Sequence, residues 1–145
     1  MKFATILLPT DFSDYAERAA AVGMDLAARD GARVIALHVL PISDLVVGEY
    51  PIVMVEDLQN ELMADAEKRM ATWVAKQSHP VETQVVWGNP AVDVCRIAGE
   101  SRADLIVTAT HGRTGLAHLF MGSVAERVVR HAPCSVLVVR DKTAG

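Results

Sequence analysis

Cysteine is nearly absent from this chain of 145 residues, which has only Cys95 and Cys134. They lie far apart and form no CxxC, which excludes a disulfide framework and a zinc knuckle and suits a reducing compartment. Each reads as a packing residue, Cys95 on an apolar helical stripe beside Val94 and Cys134 just ahead of a strand. Basic runs of five or more are missing, and Lys+Arg of 14 against Asp+Glu of 18 leaves a net charge of −4. That balance argues against nucleic acid or anionic lipid as a partner, since both need basic patches. No stretch approaches the ~20 apolar residues of a membrane span. The opening MKFATILLPTDFS has one short apolar run, broken by Pro9 and Asp11, too short for a signal peptide. A cytoplasmic protein is expected.

Several chemical signatures are also missing. There is no GxxxxGK[ST], no GxGxxG after the first strand-like run, no GxSxG and no HExxH. These absences exclude a P-loop NTPase, a dinucleotide fingerprint, an α/β-hydrolase and a zincin. The histidines His38, His79, His111, His118 and His131 are scattered, with no convergent metal-ligand spacing. Asp93, Asp104 and Glu126 fall in different segments, so no carboxylate pair for acid–base work is evident.

What is present is a 51% hydrophobic, 22% charged chain of one domain's length, expected to be a single compact soluble domain over 1–145. The continuous apolar run Phe3–Leu8 reads as a strand buried on both faces, Arg33–Val39, Asp104–Ala109 and Ser135–Val139 read as further strands, and Val81–Trp87 reads as a strand with some alternation. Between them lie helical patterns. Ser13 or Asp14 caps a stripe of Tyr15, Ala19, Val22 and Leu26, which Gly31 ends. A long helix over roughly Met54–Lys76 turns Val55, Leu58, Leu62, Ala66, Met70 and Trp73 inward. Pro90 opens a third helix with Val94, Ile97 and Ala98 inward. Gly122–Arg130 forms a fourth with Val124 and Val128 inward. Leu40–Val53, with two prolines and one glycine, reads as a loop. Strands alternating with helices imply an open parallel α/β sheet with helices on both faces, a Rossmann-like class reached by right-handed crossovers.

In such sheets ligands bind beyond the carboxyl ends of the strands, where strand order reverses. The segment after the fourth strand, Thr110 to Gly115, holds two glycines, two threonines and Arg113, and Gly122-Ser123 follows at a helix start. Small residues let backbone amides approach an anion, the helix dipole favours negative charge, and Arg113 adds a charge-assisted contact. Two readings stand for this segment: a phosphate cradle, or glycines serving only a turn. Two also stand for Asp11, which either accepts hydrogen bonds from a ribose or an adenine amine or caps the next helix. His111 either orients the glycine loop or fills space.

ILLPTDFSDYAERAA, ALHVLP, WGNPAVDVCRIA and ADLIVTATHGRTGLAHLFMGSVAERVVRHAPCSVLVV together resemble the universal stress protein family, over almost the whole chain except the unspecific Leu40–Ser78 region. In its nucleotide-binding members a glycine, two residues, a glycine, nine residues, then glycine and Ser/Thr hold the ATP phosphates. Gly112 matches the second glycine, Arg113 to Met121 the nine residues, and Gly122-Ser123 the close. Ala109 stands at the first position, where the family has glycine. A positive φ there would cost about 1 kcal/mol or more, whereas a negative φ leaves the backbone unstrained.

The resemblance implies strand order 3-2-1-4-5 in a five-stranded sheet. It implies Pro9, Thr10, Asp11 and Val39 on the adenine and ribose side. It places Ala109, Thr110, His111, Gly112, Arg113, Gly122, Ser123 and Val124 on the phosphate and ribose side. It further implies ATP, or ADP or AMP, with Mg²⁺ or Mn²⁺ as counter-ion, and a homodimer through the last strand, Ser135–Val139. A sensor or regulator is expected, with at most slow ATP hydrolysis, because no evident base and no lysine follow the glycines. The alternatives are the same fold acting through protein contacts without nucleotide, and a nucleotidyl-transfer enzyme, whose histidine-rich motif Pro9-Thr10-Asp11 lacks.

Overall fold

The computed structural model describes residues 1–42, 52–111 and 121–140, with the backbone alone at 52–55. Strand and helix alternate as β1 (Thr5–Pro9), α1 (Asp14–Asp30), β2 (Arg33–Pro41), α2 (Ile52–Ala75), β3 (Glu82–Gly88), α3 (Pro90–Glu100), β4 (Leu105–Ala109), α4 (Ser123–His131) and β5 (Ser135–Val139). The strands form one sheet in the order β3-β2-β1-β4-β5, every pairing parallel. This is the class that the alternation of strands and helices implied, in the order that the family resemblance implied.

Successive strand side chains point to opposite faces. Ile6 and Leu8 of β1 therefore pack with α1, while Leu7 packs with α3 and α4 through Val94, Ile97 and Val128. Trp73 of α2 joins the α1 side. Cys95 and Cys134 pack half-buried against the α3 side, where burial pushes both thiols up from their ordinary range. They are packing residues, as their sequence context implied.

Three sequence expectations shift. The buried face of α1 is Ala16, Ala19, Ala20, Gly23, Met24 and Ala27. Tyr15, Val22 and Leu26 sit half-buried on its flank. The cause is close approach: a Cβ on Gly23 would run into Leu8 Cδ2 and lie 3.5 Å from Val107 Cβ. The smallest residues lay this helix against the sheet and the larger ones are displaced sideways. In α4 the inward residues are Ala125 and Val128, and Val124 is 42% exposed. Finally, β2 runs on to Pro41 because β3 continues to offer it a partner, Leu40 pairing with Trp87 and Pro41 with Gly88. At the other end of the expected loop Ile52 and Val53 already belong to α2, and 43–51 lies outside the described residues.

Local chemistry sets the helix starts. Ser13 Oγ accepts from Ala16 N–H at 3.2 Å to cap α1, and Asn89 Oδ1 accepts from Val92 N–H at 3.2 Å to cap α3. Each satisfies a donor that a helix leaves without an intrahelical partner. At the opposite end of the sheet two carboxylates pin the chain into β1. Asp104 Oδ2 accepts from the N–H groups of Ala4 and Thr5, both at 2.8 Å. Asp30 Oδ2 accepts from Phe3 N–H at 2.8 Å.

The Asp30 carboxyl is held down to about 2, first by hydrogen bonding to Arg29 and then by Phe3 N–H. A carboxylate with a depressed native pKa stabilises the fold above its unfolded value and loses that contribution as pH falls through the native one. Wild type should therefore lose part of its stability between about pH 4 and pH 2. Asp30→Asn should lower the neutral-pH melting temperature and flatten that acid limb, as read by thermal unfolding across the pH series.

Candidate functional site

The site begins where two neighbouring strands part. Pairing of β1 with β4 covers Ile6 with Leu105 and Leu7 with Ile106. Thr10 N–H turns to β2 and donates to Leu37 O at 2.8 Å. Alternation then points the nitrogen of Pro9 toward β4, so proline, which has no N–H, removes no bond from the β2 ladder. β4 meanwhile continues beside β5 as far as Ala109, paired with Val139. A crevice opens between the carboxyl ends of β1 and β4, at the reversal of strand order, where open α/β sheets bind ligands.

The crevice widens into a cavity of about 480 Å³. Its walls include Pro9, Thr10, Asp11 and Val39 from one group of site candidates, and Ala109, Thr110, His111, Gly122, Ser123 and Val124 from the other. Ten candidates widely separated in sequence thus share one cavity. Gly112 and Arg113 lie outside the described residues.

At the β2 end the chemistry is backbone. Leu37 O faces β1, so alternation directs Val39 N–H and C=O the same way, past Pro9, the last β1 residue paired with β2. A donor and an acceptor side by side match the edge of a planar heterocycle. Leu40, Pro41, Trp87, Pro90 and Leu62 supply apolar walls nearby.

At the β4 end the chemistry is a helix terminus. Gly122 is the N-cap of α4 and makes no side-chain cap bond, so the first-turn amides lack the partner that Ser13 and Asn89 supply elsewhere. Glu126 N–H has already returned to Gly122 O at 3.0 Å. Gly122 N–H donates to Thr110 O at 2.6 Å, and a Cβ on Gly122 would come within 3.0 Å of that same oxygen. Glycine is what lets the two backbones meet. The dipole and the open amides favour an anion here. Beside them, His111 Nδ1 is buried with no hydrogen-bond partner among the described residues, its ring edge-on to Tyr15 at 5.6 Å. Such a group is normally satisfied by a ligand or water.

Asp11 has the turn-shaping contact that one of its readings expects, its Oδ1 accepting from Ser13 N–H at 3.0 Å, and it also stands on the cavity wall. The turn is tight: Phe12 takes φ 64°, a left-handed value worth roughly 1–2 kcal/mol of strain for a non-glycine residue. Ala109 behaves differently. It is the last residue of β4 and is not among the positive-φ residues of the described chain, which apart from glycine are Phe12 and Arg102. The methyl in place of glycine therefore strains nothing in the backbone.

Sequence reasoning missed two groups. His38 is 3% exposed and lines the cavity. The available signal was a lone polar ring inside the apolar run RVIALHV. Leu62, Asp65 and Arg69 of α2 also line it, with Arg69 Nε 3.0 Å from Asp65 Oδ2. Their spacing of three and four residues puts them on one helical stripe, a pattern visible in a segment that carried no motif. Among the described residues no group of three or more His, Cys, Asp or Glu could hold a metal ion by itself, and no helix is long and apolar enough to cross a membrane.

A family model described as the universal stress protein family matches residues 2–140. A universal stress protein of Methanocaldococcus jannaschii, MJ0531, is 34% identical over 140 residues, spanning 95% of this chain and 82% of that one. The solved structure of MJ0577, from the same archaeon, superposes with a TM-score of 0.87 at 30% identity, over 98% of this chain and 99% of that one. A universal stress protein solved in complex with cAMP superposes with a TM-score of 0.64 at 26% identity, over 97% and 98% of the two chains.

Because Ala109 is unstrained, Ala109→Gly should leave the melting temperature unchanged or lower it by an amount worth up to about 1 kcal/mol, the usual cost of glycine in ordered structure. A higher melting temperature would mean that glycine relieved a left-handed conformation at this position.

Proposed function

The chain belongs to the universal stress protein family, and on that premise we propose that its cavity binds an adenine nucleotide, ATP or else ADP or AMP, in a stress-response regulator or sensor. The observation that carries this reading is the pairing of opposite chemistries across one cavity. The donor–acceptor edge of Val39 lies at the β2 end, and the uncapped amides of α4, closed by Gly122, lie at the β4 end. A flat heterocycle suits the first and a phosphate chain the second. Asp11, between them on the β1–α1 turn, is placed to accept from a ribose hydroxyl. A relative that carries cAMP supports an adenine nucleotide in this fold.

The phosphates would lie over Ser123 and Val124, with His111 offering its buried Nδ1. By resemblance Gly112 and Arg113 belong to the same contact. A Mg²⁺ or Mn²⁺ ion would be held chiefly by phosphate oxygens and water, as such cations usually are with nucleotides, rather than by a cage of protein ligands. The cavity carboxylates Asp11 and Asp65 are respectively engaged in a turn and ion-paired, which suits holding a nucleotide better than hydrolysing it. The last strand completes the reading. β5 is a sheet edge with Leu137 exposed and Val136, Val138 and Val139 half-buried, an apolar edge of the kind that a second copy covers. We assign the homodimer contact to it.

Isothermal titration with ATP and with adenosine tests the assignment of each end. Gly122→Val puts a branched side chain against Thr110 O and should weaken ATP binding at least tenfold with the fold intact by circular dichroism. Asp11→Ala should weaken ATP and adenosine by a similar factor, about ten- to a hundredfold, in line with one hydrogen bond to a charged group. Unchanged ATP affinity in a folded Gly122→Val protein would place the phosphates elsewhere. Unchanged adenosine affinity in Asp11→Ala would leave Asp11 as a turn residue alone.

A further inference from the structure

β2 is apolar except at one interior position. Val34, Ile35, Ala36, Leu37 and Val39 are buried, and among them stands His38, equally buried. Packing alone does not require a polar ring in a strand covered on both sides, where β-branched and aliphatic residues suffice. Burial of an imidazole demands a partner. His38 Nδ1 lies 2.7 Å from Thr10 O. A carbonyl oxygen only accepts, so Nδ1 carries the proton in this contact and donates it to the turn after β1. The His38 ring also packs against Phe12, centroids 4.6 Å apart and planes tilted by 43°.

Thr10 and Phe12 flank Asp11. The turn's own hydrogen bonds are local, Thr10 Oγ1 accepting from Phe12 N–H and Asp11 Oδ1 from Ser13 N–H, both at 3.0 Å. They curl the chain without fixing it to the sheet. Among the described residues two hydrogen bonds to β2 do fix it, Thr10 N–H to Leu37 O at 2.8 Å and His38 Nδ1–H to Thr10 O, together with the packing of Phe12 on the His38 ring. Phe12 sits in the left-handed region, so the turn keeps its shape only where neighbours over-determine it. His38 touches both flanks of Asp11, Thr10 through its Nδ1 and Phe12 through its ring.

We propose that His38 is the positioning residue of the cavity, holding the Pro9–Ser13 turn through Thr10 and Phe12 so that Asp11 is presented to the nucleoside. The proposal rests on the nucleotide reading above and adds to it a residue to which sequence reasoning assigned no role in the site. His38 acts through Asp11, which sets its energetic signature apart from that of a core residue. Its effect on binding disappears once Asp11 no longer has a carboxylate to present.

Three variants test this. His38→Leu keeps the apolar packing and removes the donor. His38→Asn places an amide N–H near the Nδ1 position and restores it. His38→Leu is also made in the Asp11→Ala background. Amide hydrogen exchange on the ligand-free proteins reads the turn directly. His38→Leu should speed exchange at Thr10, Phe12 and Ser13 by tenfold or more while the amides of β4 stay protected, and His38→Asn should bring it back toward wild type. Adenosine titration reads the consequence. His38→Leu should weaken binding at least tenfold in the wild-type background, less than threefold in Asp11→Ala, and His38→Asn should stay within threefold of wild type. Unchanged exchange at the turn, or losses that add in the double variant, would overturn the proposal. A wild type that binds no adenosine or ATP defeats the nucleotide reading and with it the presentation of Asp11 to a nucleoside, while the exchange comparison still decides whether His38 holds the turn. If His38→Leu does not fold, His38→Asn against His38→Gln decides the matter. Gln carries its donor near the Nε2 position, so only Asn should preserve the turn.

Discussion

The parting of β1 from β4 is the constraint on which the rest depends. A parallel ladder pairs every backbone group it can, and buried N–H and C=O groups left without partners are costly. Here the ladder stops at Leu7 and Ile106 while β2 and β4 run on beside β3 and β5. The backbone of Val39, the turn of Thr10 and Asp11, and the first turn of α4 are all left facing one space. Pro9 makes the parting tolerable, because its missing N–H falls on the side where pairing has ended. A site of this kind has binding chemistry made largely of main chain, and its side chains mainly set where that main chain lies.

Small residues serve that end twice. Gly23 and the alanines of α1 bring the helix down onto Leu8 and Val107, so the turn that feeds α1 lies close over the sheet end. Gly122 brings the start of α4 against Thr110 O, so its amides face the crevice. In both places a methyl group would separate two pieces of backbone. At Ala109 the methyl is harmless for a complementary reason, since the residue is still in the strand and needs no unusual φ.

The element sequence was legible in apolar periodicity, whereas the strand order and much of the cavity wall, Val39 included, came from the resemblance carried by the family's segments and its spaced glycine-serine motif. What was not legible follows from the limits of those signals. The α1 stripe was misplaced by about one residue because reading hydrophobicity favours Tyr15, Val22 and Leu26, whereas a helix lying this close to a sheet selects for absence of bulk. Val124 was turned inward on the same grounds, though Ala125 fits the narrower space. His38 and the Leu62–Asp65–Arg69 stripe escaped notice because their roles depend on which strands and helices become neighbours, a fact of topology rather than of local pattern. Asp11 was left between two readings, and the structure shows its bond to Ser13 N–H in the turn and its place on the cavity wall.

The central claim is that this cavity is a nucleotide site, and its most direct test needs no variant. The purified protein is denatured, the chain removed, and the supernatant resolved by ion-exchange chromatography with mass detection. The structure predicts an adenine nucleotide approaching one per chain, or, from stripped protein, its uptake from millimolar ATP with Mg²⁺. A supernatant free of nucleotide, together with stripped protein that takes up none, would contradict the claim and leave the crevice between β1 and β4 without its ligand.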